Sequence, residues 1–250
     1  MKTIAISGKG GTGKTTLTAL VIRWLSENRL GPILAVDADS NVNLNDILGI
    51  KIRDTVGAIR EEMRKNVNNL PAGMTKQQFL EYKIQTSLVE TRSFDLIAMG
   101  RPEGPGCYCY ANNLLRDILR TLGENYDYVV IDNEAGMEHL SRRTTQTIDY
   151  LISVSDATPR GVHTAARISK LLEELDTRVR TRFLIVNRAP ETLTETVRSI
   201  IGQEELHLLG VIPEDIVLLK MDRDGTPVYN ISANSPTYQA VNKFMNKLEL

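Results

Sequence analysis

Residues 8–15 read Gly8-Lys9-Gly10-Gly11-Thr12-Gly13-Lys14-Thr15, a glycine-rich run closed by a lysine and a hydroxyl. Bare backbone can wrap its N–H groups around an anion, and the lysine and threonine add a positive charge and a metal-ligating oxygen. That chemistry is phosphate binding. The run fits G-x-x-x-x-G-K-[ST], follows a short β-branched stretch and opens a helical pattern, the context in which the motif cradles a nucleotide. Gly8, Lys9, Gly10, Gly11, Thr12, Gly13, Lys14, Thr15 and Thr16 are the expected nucleotide contacts. Lys14 is expected on the β- and γ-phosphates, and the Thr15 hydroxyl on Mg²⁺.

Two acidic segments end apolar stretches. One is Val36-Asp37-Ala38-Asp39-Ser40-Asn41, the other Ile131-Asp132-Asn133-Glu134-Ala135-Gly136. Carboxylates at strand ends facing a phosphate loop position water and hold Mg²⁺ through its shell, so Asp37, Asp39 and Asp132 are the candidates. For Asp37 and Asp39 the competing reading is a pair of loop carboxylates that cap the next helix.

The cysteines are Cys107 and Cys109, within Gly104-Pro105-Gly106-Cys107-Tyr108-Cys109-Tyr110. In an extended chain both thiols point the same way, with Cα atoms roughly 6.5–7 Å apart, at or beyond the usual disulfide limit. Thiolates suit Ni²⁺, Zn²⁺ and Cu⁺ alike. One chain supplies two such ligands where a closed site wants four, and a two-fold dimer would supply them all. The competing reading is a pair of unliganded cysteines beside a turn. Of the histidines, His139, His163 and His207, the first is the best candidate ligand because it follows the Asp132 segment, although lone histidines are more often structural.

These residues need a scaffold. Continuous apolar runs at 3–7, 33–36, 94–98, 128–131, 150–154, 182–186 and 206–212 read as strands buried on both faces. Helical patterns at 14–27, 112–122, 161–175 and 191–201 alternate with them. Alternation of this kind predicts an α/β fold, a mainly parallel central sheet with helices on both faces, whose ligands bind at the carboxyl ends of the strands. From about 50 to 92 no good strand is visible; Val56, Ile59, Met63 and Val67 recur at helical spacing and a second helix is expected over 75–89. We read this as a helical insertion in a single domain spanning 1–250. The amphipathic set Val241, Phe244, Met245 and Leu248 predicts a terminal helix docked on the core, against the alternative of a membrane-surface helix.

The formal net charge is -1, from 30 basic and 31 acidic side chains, which gives no electrostatic case for nucleic acid. No run approaches the ~20 apolar residues of a membrane span, and the N-terminus enters the glycine loop after one short apolar stretch, unlike a secretory signal. The expectation is a cytoplasmic protein without nucleic-acid or membrane partners.

The second lysine of the loop, Lys9, makes the run resemble the deviant P-loop of the MinD/ParA-type ATPases. The resemblance implies ATP as substrate, hydrolysis to ADP and phosphate, and a homodimer in which Lys9 crosses to the partner's nucleotide. It implies that Asp39 orients the attacking water, that Asp37 and Asp132 support Mg²⁺, and that Asn187, Pro213 and Glu214 match adenine-contacting positions; Asn187 also reads as a turn residue. Lys9, Lys14 and Asp39 are thus the catalytic set. Asn133 and Glu134 depart from the Asp-Thr/Ser-Pro-x-Gly usual in that group. The C-x-C pair, with Gly136-Met137-Glu138-His139-Leu140 after it, narrows the resemblance to the CooC and AcsF group of nickel-insertion accessory ATPases. That implies Ni²⁺, or Zn²⁺ in its place, at a dimer-shared Cys107/Cys109 site, and carbon monoxide dehydrogenase or acetyl-CoA synthase as client. The alternative is a MinD/ParA-like positioning ATPase without metal transfer.

Overall fold

The structure is a computed structural model that describes residues 1–65, 73–100, 122–134, 147–174, 178–190 and 192–250. Cys107, Cys109, Gly136, His139 and nearly all of the helix expected over 112–122 lie outside the described residues.

Eight strands form one sheet: β1 (Lys2–Gly8), β2 (Ile33–Asp37), β3 (Val89–Glu90), β4 (Asp95–Ala98), β5 (Tyr128–Asp132), β6 (Ile148–Asp156), β7 (Val179–Ala189) and β8 (Leu208–Pro213). Their order is β3-β4-β2-β5-β1-β6-β7-β8. Every neighbouring pair is parallel except β3 with β4. The described helices are α1 (Lys14–Glu27), α2 (Leu44–Leu48), α3 (Val56–Lys65), α4 (Lys76–Ser87), α5 (Pro159–Glu174), α6 (Glu195–Gln203), α7 (Ile216–Arg223) and α8 (Pro236–Met245).

The continuous apolar runs follow from burial on both faces. Along β2, Ile33 and Ala35 join the core under α1 and α8, while Leu34 and Val36 pack on the opposite face with Val56 of α3 and Ile84 of α4. Along β5, Tyr128 and Val130 take the first face, Val129 and Ile131 the second. A third cluster, with Val162 of α5, Leu184 and Val186 of β7 and Val197 of α6, covers the other half.

Between β2 and β4 the chain runs through α2, α3 and α4. Thr75 begins α4 with a capping box: its hydroxyl accepts from the Gln78 N–H, and the Gln78 side chain accepts from the Thr75 N–H. One expectation is corrected here. The stretch read as strand-free ends in β3, whose two residues, Val89 and Glu90, pair antiparallel with Leu96 and Asp95. A pair of residues is too short to carry an alternation signal.

Helix α8 buries Val241, Phe244 and Met245, and Leu248 just beyond it, against the core. Full burial of these four side chains stabilises the docked helix by roughly 6–12 kcal/mol as an upper bound. Laying that face on a membrane would first cost the same contacts. Among the described residues no helix is long and apolar enough to cross a membrane.

Candidate functional site at the carboxyl edge of the sheet

The phosphate loop connects the end of β1 to the start of α1. Gly8 tolerates no side chain, because a Cβ there would stand 2.3 Å from the Val154 carbonyl oxygen of β6. Gly13 sits at φ 89, and a Cβ there would stand 2.4 Å from Nδ2 of Asn187. Both glycines therefore let other backbone or side chains close in on the loop. The carbonyl of Lys9 accepts from the Thr12 N–H (3.3 Å), the Thr12 hydroxyl (2.9 Å) and the Lys14 ammonium (3.4 Å). Lys14 is thus folded over the loop and buried, while the Lys9 side chain is exposed. No side chain caps the start of α1, and its first turn holds no acidic residue. That helix end is left to favour an anion.

The sheet order sets the carboxylates around the loop. β5 lies between β1 and β2, and Asp132 is in register with Ile6 on one side and Asp37 on the other. Asp132 is 1% exposed and Asp37 0%. Burial pushes the Asp132 carboxyl up to about 7, the Asp37 charge adds to this, and hydrogen bonds from Thr15 and Thr18 and the Lys14 charge oppose it. The Thr18 hydroxyl donates to Asp132 Oδ1 at 3.1 Å. A buried carboxylate beside a second one, next to the Thr15 hydroxyl, is a donor set that suits a hard divalent cation such as Mg²⁺.

Asp37 does more than face Asp132. Its Oδ1 accepts from the Asp39 N–H (3.0 Å), and its Oδ2 from the N–H groups of Asn43 (3.0 Å) and Leu44 (2.9 Å). It therefore caps α2 from outside the helix, the chemistry of the competing sequence reading. Burial still holds its carboxyl above the ordinary value; the Leu44, Asp39 and Asn43 N–H groups pull it down and the Asp39 charge pushes it up. Asp39 is half-buried, and its Oδ1 accepts from the Asn41 N–H at 2.8 Å.

At the end of β7, Asn187 Nδ2 donates to the Thr12 carbonyl at 2.8 Å, and Arg188 Nη2 donates to the Gly11 carbonyl at 2.8 Å. The next strand end holds Pro213 and the exposed Glu214, followed by Asp215, whose side chain caps α7 and accepts from Ser235 and Thr237. Gly8 to Thr16, Asp37, Asp39, Asp132, Asn187 and Pro213 thus share one edge of the sheet.

Sequence reasoning missed three members of this edge. Thr18 bonds Asp132 from the second turn of α1, Ser40 bonds Glu134 at 3.1 Å, and Arg188 reaches the loop. Only Arg188 carried a signal, as a cation beside Asn187. Two of the histidines have other work: His163 Nδ1 lies 3.2 Å from Glu204 Oε1, and His207 packs on Phe183 with ring centroids 4.9 Å apart. Among the described residues no group of three or more His, Cys, Asp or Glu side chains is arranged to hold a metal ion.

Comparisons with known proteins bear on the family and the fold. An uncharacterized ATP-binding protein of Methanocaldococcus jannaschii is 44% identical over 247 residues, covering 98% of this chain and 97% of that protein. The carbon monoxide dehydrogenase accessory protein CooC of Rhodospirillum rubrum is 30% identical, covering 92% of this chain and 90% of its own. Among solved structures, the MinD cell division protein of Aquifex aeolicus superposes with a TM-score of 0.70 over 99% of this chain and 96% of its own, at 24% identity. The model of the CobQ/CobB/MinD/ParA nucleotide binding domain matches residues 3–228, and the chain belongs to that family of P-loop nucleotide-binding proteins.

Proposed function

We propose that this chain is an ATP-hydrolysing switch that works as a homodimer and delivers nickel to a client enzyme. The observation that carries the ATPase reading is the row of groups at one sheet edge: a loop with Lys14 folded inward, and Asp132 and Asp37 in register beside it. Thr15 and Asp132 are the residues that would hold Mg²⁺, with Asp37 behind them. The cation supplies neutralisation of phosphate charge. Asp39 orients the water that attacks the terminal phosphate, giving ADP and inorganic phosphate. Lys9, exposed at the crown of the loop, reaches the nucleotide of the partner subunit. Adenine lies by Asn187, Pro213 and Glu214, at the ends of the two strands beyond β6.

The nickel reading rests on the 30% identity to CooC and on the Cys107-Tyr108-Cys109 sequence. Two cysteines per chain become four thiolates in a two-fold dimer. Metal held half by each subunit has an affinity tied to closure of the interface, so nucleotide turnover gates its release. Zinc is the competing occupant, because the same thiolates accept it. The client is carbon monoxide dehydrogenase or acetyl-CoA synthase. The chain is read as one cytoplasmic domain.

The test is anaerobic nickel titration of the reduced protein, with metal content and molecular mass measured with and without ATP. About half a nickel per chain in a dimer, lost in Cys107→Ser and in Cys109→Ser, is the expected result. Nickel absent in every nucleotide state would remove the metal role and leave a MinD/ParA-like positioning ATPase.

A further inference from the structure

Asn187 and Arg188 both turn toward the phosphate loop. The side-chain amide of Asn187, 8% exposed, donates to the Thr12 carbonyl at 2.8 Å. The Arg188 guanidinium donates to the Gly11 carbonyl at the same distance. A third bond sets the amide's direction: Asn187 Oδ1 accepts from the Arg188 N–H at 2.9 Å, which leaves Nδ2 to face the loop. The backbone is bent to allow this. Arg188 sits at φ 50, a left-handed conformation uncommon for residues with a side chain, and the pairing of β7 with β8 shifts register between Val186 and Ala189. On the loop side, the missing side chain of Gly13 is the seat that the Asn187 amide fills.

A planar trans peptide carries its carbonyl and its N–H on opposite sides. Fixing the Gly11 carbonyl toward β7 therefore holds the Thr12 N–H on the other side, where it donates to the Lys9 carbonyl and closes the loop's turn. Fixing the Thr12 carbonyl holds the Gly13 N–H away from β7 in the same way. Those N–H groups belong to the run whose backbone cradles phosphate.

We propose that Asn187 and Arg188 are positioning residues, a two-point clasp that presets the phosphate loop. Preset donors bind without the cost of ordering the loop at the moment of binding. The clasp acts on the triphosphate whatever base is attached. This inference rests on the nucleotide-binding reading above and deepens it.

The experiment measures binding of ATP, GTP and inorganic tripolyphosphate, each with Mg²⁺, to the full chain and to Asn187→Asp, Arg188→Met and Arg188→Lys. Asn187→Asp keeps the shape and the acceptor of the clasp but loses the donor to Thr12. Arg188 is exposed, so its variants keep the fold even where Asn187→Asp does not. The expected result is that Asn187→Asp and Arg188→Met weaken ATP and tripolyphosphate alike, by about tenfold, at an unchanged ATP-to-GTP ratio. Arg188→Lys, which retains a donor and the charge, restores most of the loss. In turnover, KM rises by the same factor while kcat stays within about twofold, the pattern of uniform binding; a merely structural loss of active protein would lower kcat at constant KM. Loss of ATP affinity with tripolyphosphate unaffected would overturn the proposal in favour of an adenine reader. Unchanged binding of both ligands in all variants would also overturn it. Failure of the unaltered chain to bind either ligand would instead sink the nucleotide reading itself.

Discussion

The Ser40 hydroxyl donates to Glu134 Oε1 at 3.1 Å, which ties the loop after β2 to the end of β5. Register makes this contact natural: Asp37 pairs with Asp132, so residues two or three positions beyond them meet above the sheet. Asp39 lies beside Ser40 in that loop, and fixing Ser40 fixes the carboxylate proposed to orient water. Ser40→Ala is expected to lower kcat for ATP hydrolysis by about threefold to tenfold, less than the full weight of a hydrogen bond to a charged group because the contact acts on Asp39 through the loop, with ATP affinity unchanged. Phosphate release and equilibrium binding, measured together, check this.

Gly13 carries two separate demands, a φ of 89 and the 2.4 Å approach of Asn187 Nδ2 to the place of a Cβ. Gly13→Ala must therefore move the loop or the clasp. The expected outcome is loss of ATP binding by about tenfold to a thousandfold, from strain of roughly 1–3 kcal/mol added to a displaced amide. Calorimetric titration of the variant reads it directly.

Asp132 gives a pH signature in the nucleotide-free protein. Its folded-state value, about 7, lies above the ordinary 3.8, because burial and Asp37 oppose its charge. Stability linked to this group is fully present below the ordinary value and is lost as pH rises through about 7. Asp132→Asn removes the charge and is expected to stabilise the nucleotide-free chain by a few kcal/mol at pH 8, and by less at pH 5. For a chain of this size that is a rise in Tm of several degrees, roughly 2–4 °C per kcal/mol. Thermal unfolding at the two pH values tests the sign. The same variant should lose Mg²⁺-dependent hydrolysis.

Most of the sheet is legible in the sequence because both of its faces are covered. Ile33 to Val36 and Tyr128 to Ile131 are unbroken apolar runs for that reason, and they end at Asp37 and Asp132, the carboxylates of the candidate site. The elements that escape lack a pattern of their own. β3 has two residues. α2 has five and borrows its cap from Asp37, a residue outside it. α7 exposes Ile216, Val217 and Leu219, so its apolar positions do not mark a buried face. The Arg188 contact depends on a left-handed residue and a register shift, neither of which side-chain type encodes. β8 begins two residues later than the apolar run suggests, because Glu205 turns the chain at φ 51.

The most direct measurement of the central claim is steady-state phosphate release from Mg²⁺-ATP by the unaltered chain beside Asp39→Asn. The expected result is hydrolysis by the unaltered chain, reduced about 10²–10⁴-fold in Asp39→Asn, with ATP binding retained. Equal rates in the two proteins would contradict the role of Asp39, and a chain that binds no ATP would contradict the assignment of the whole edge.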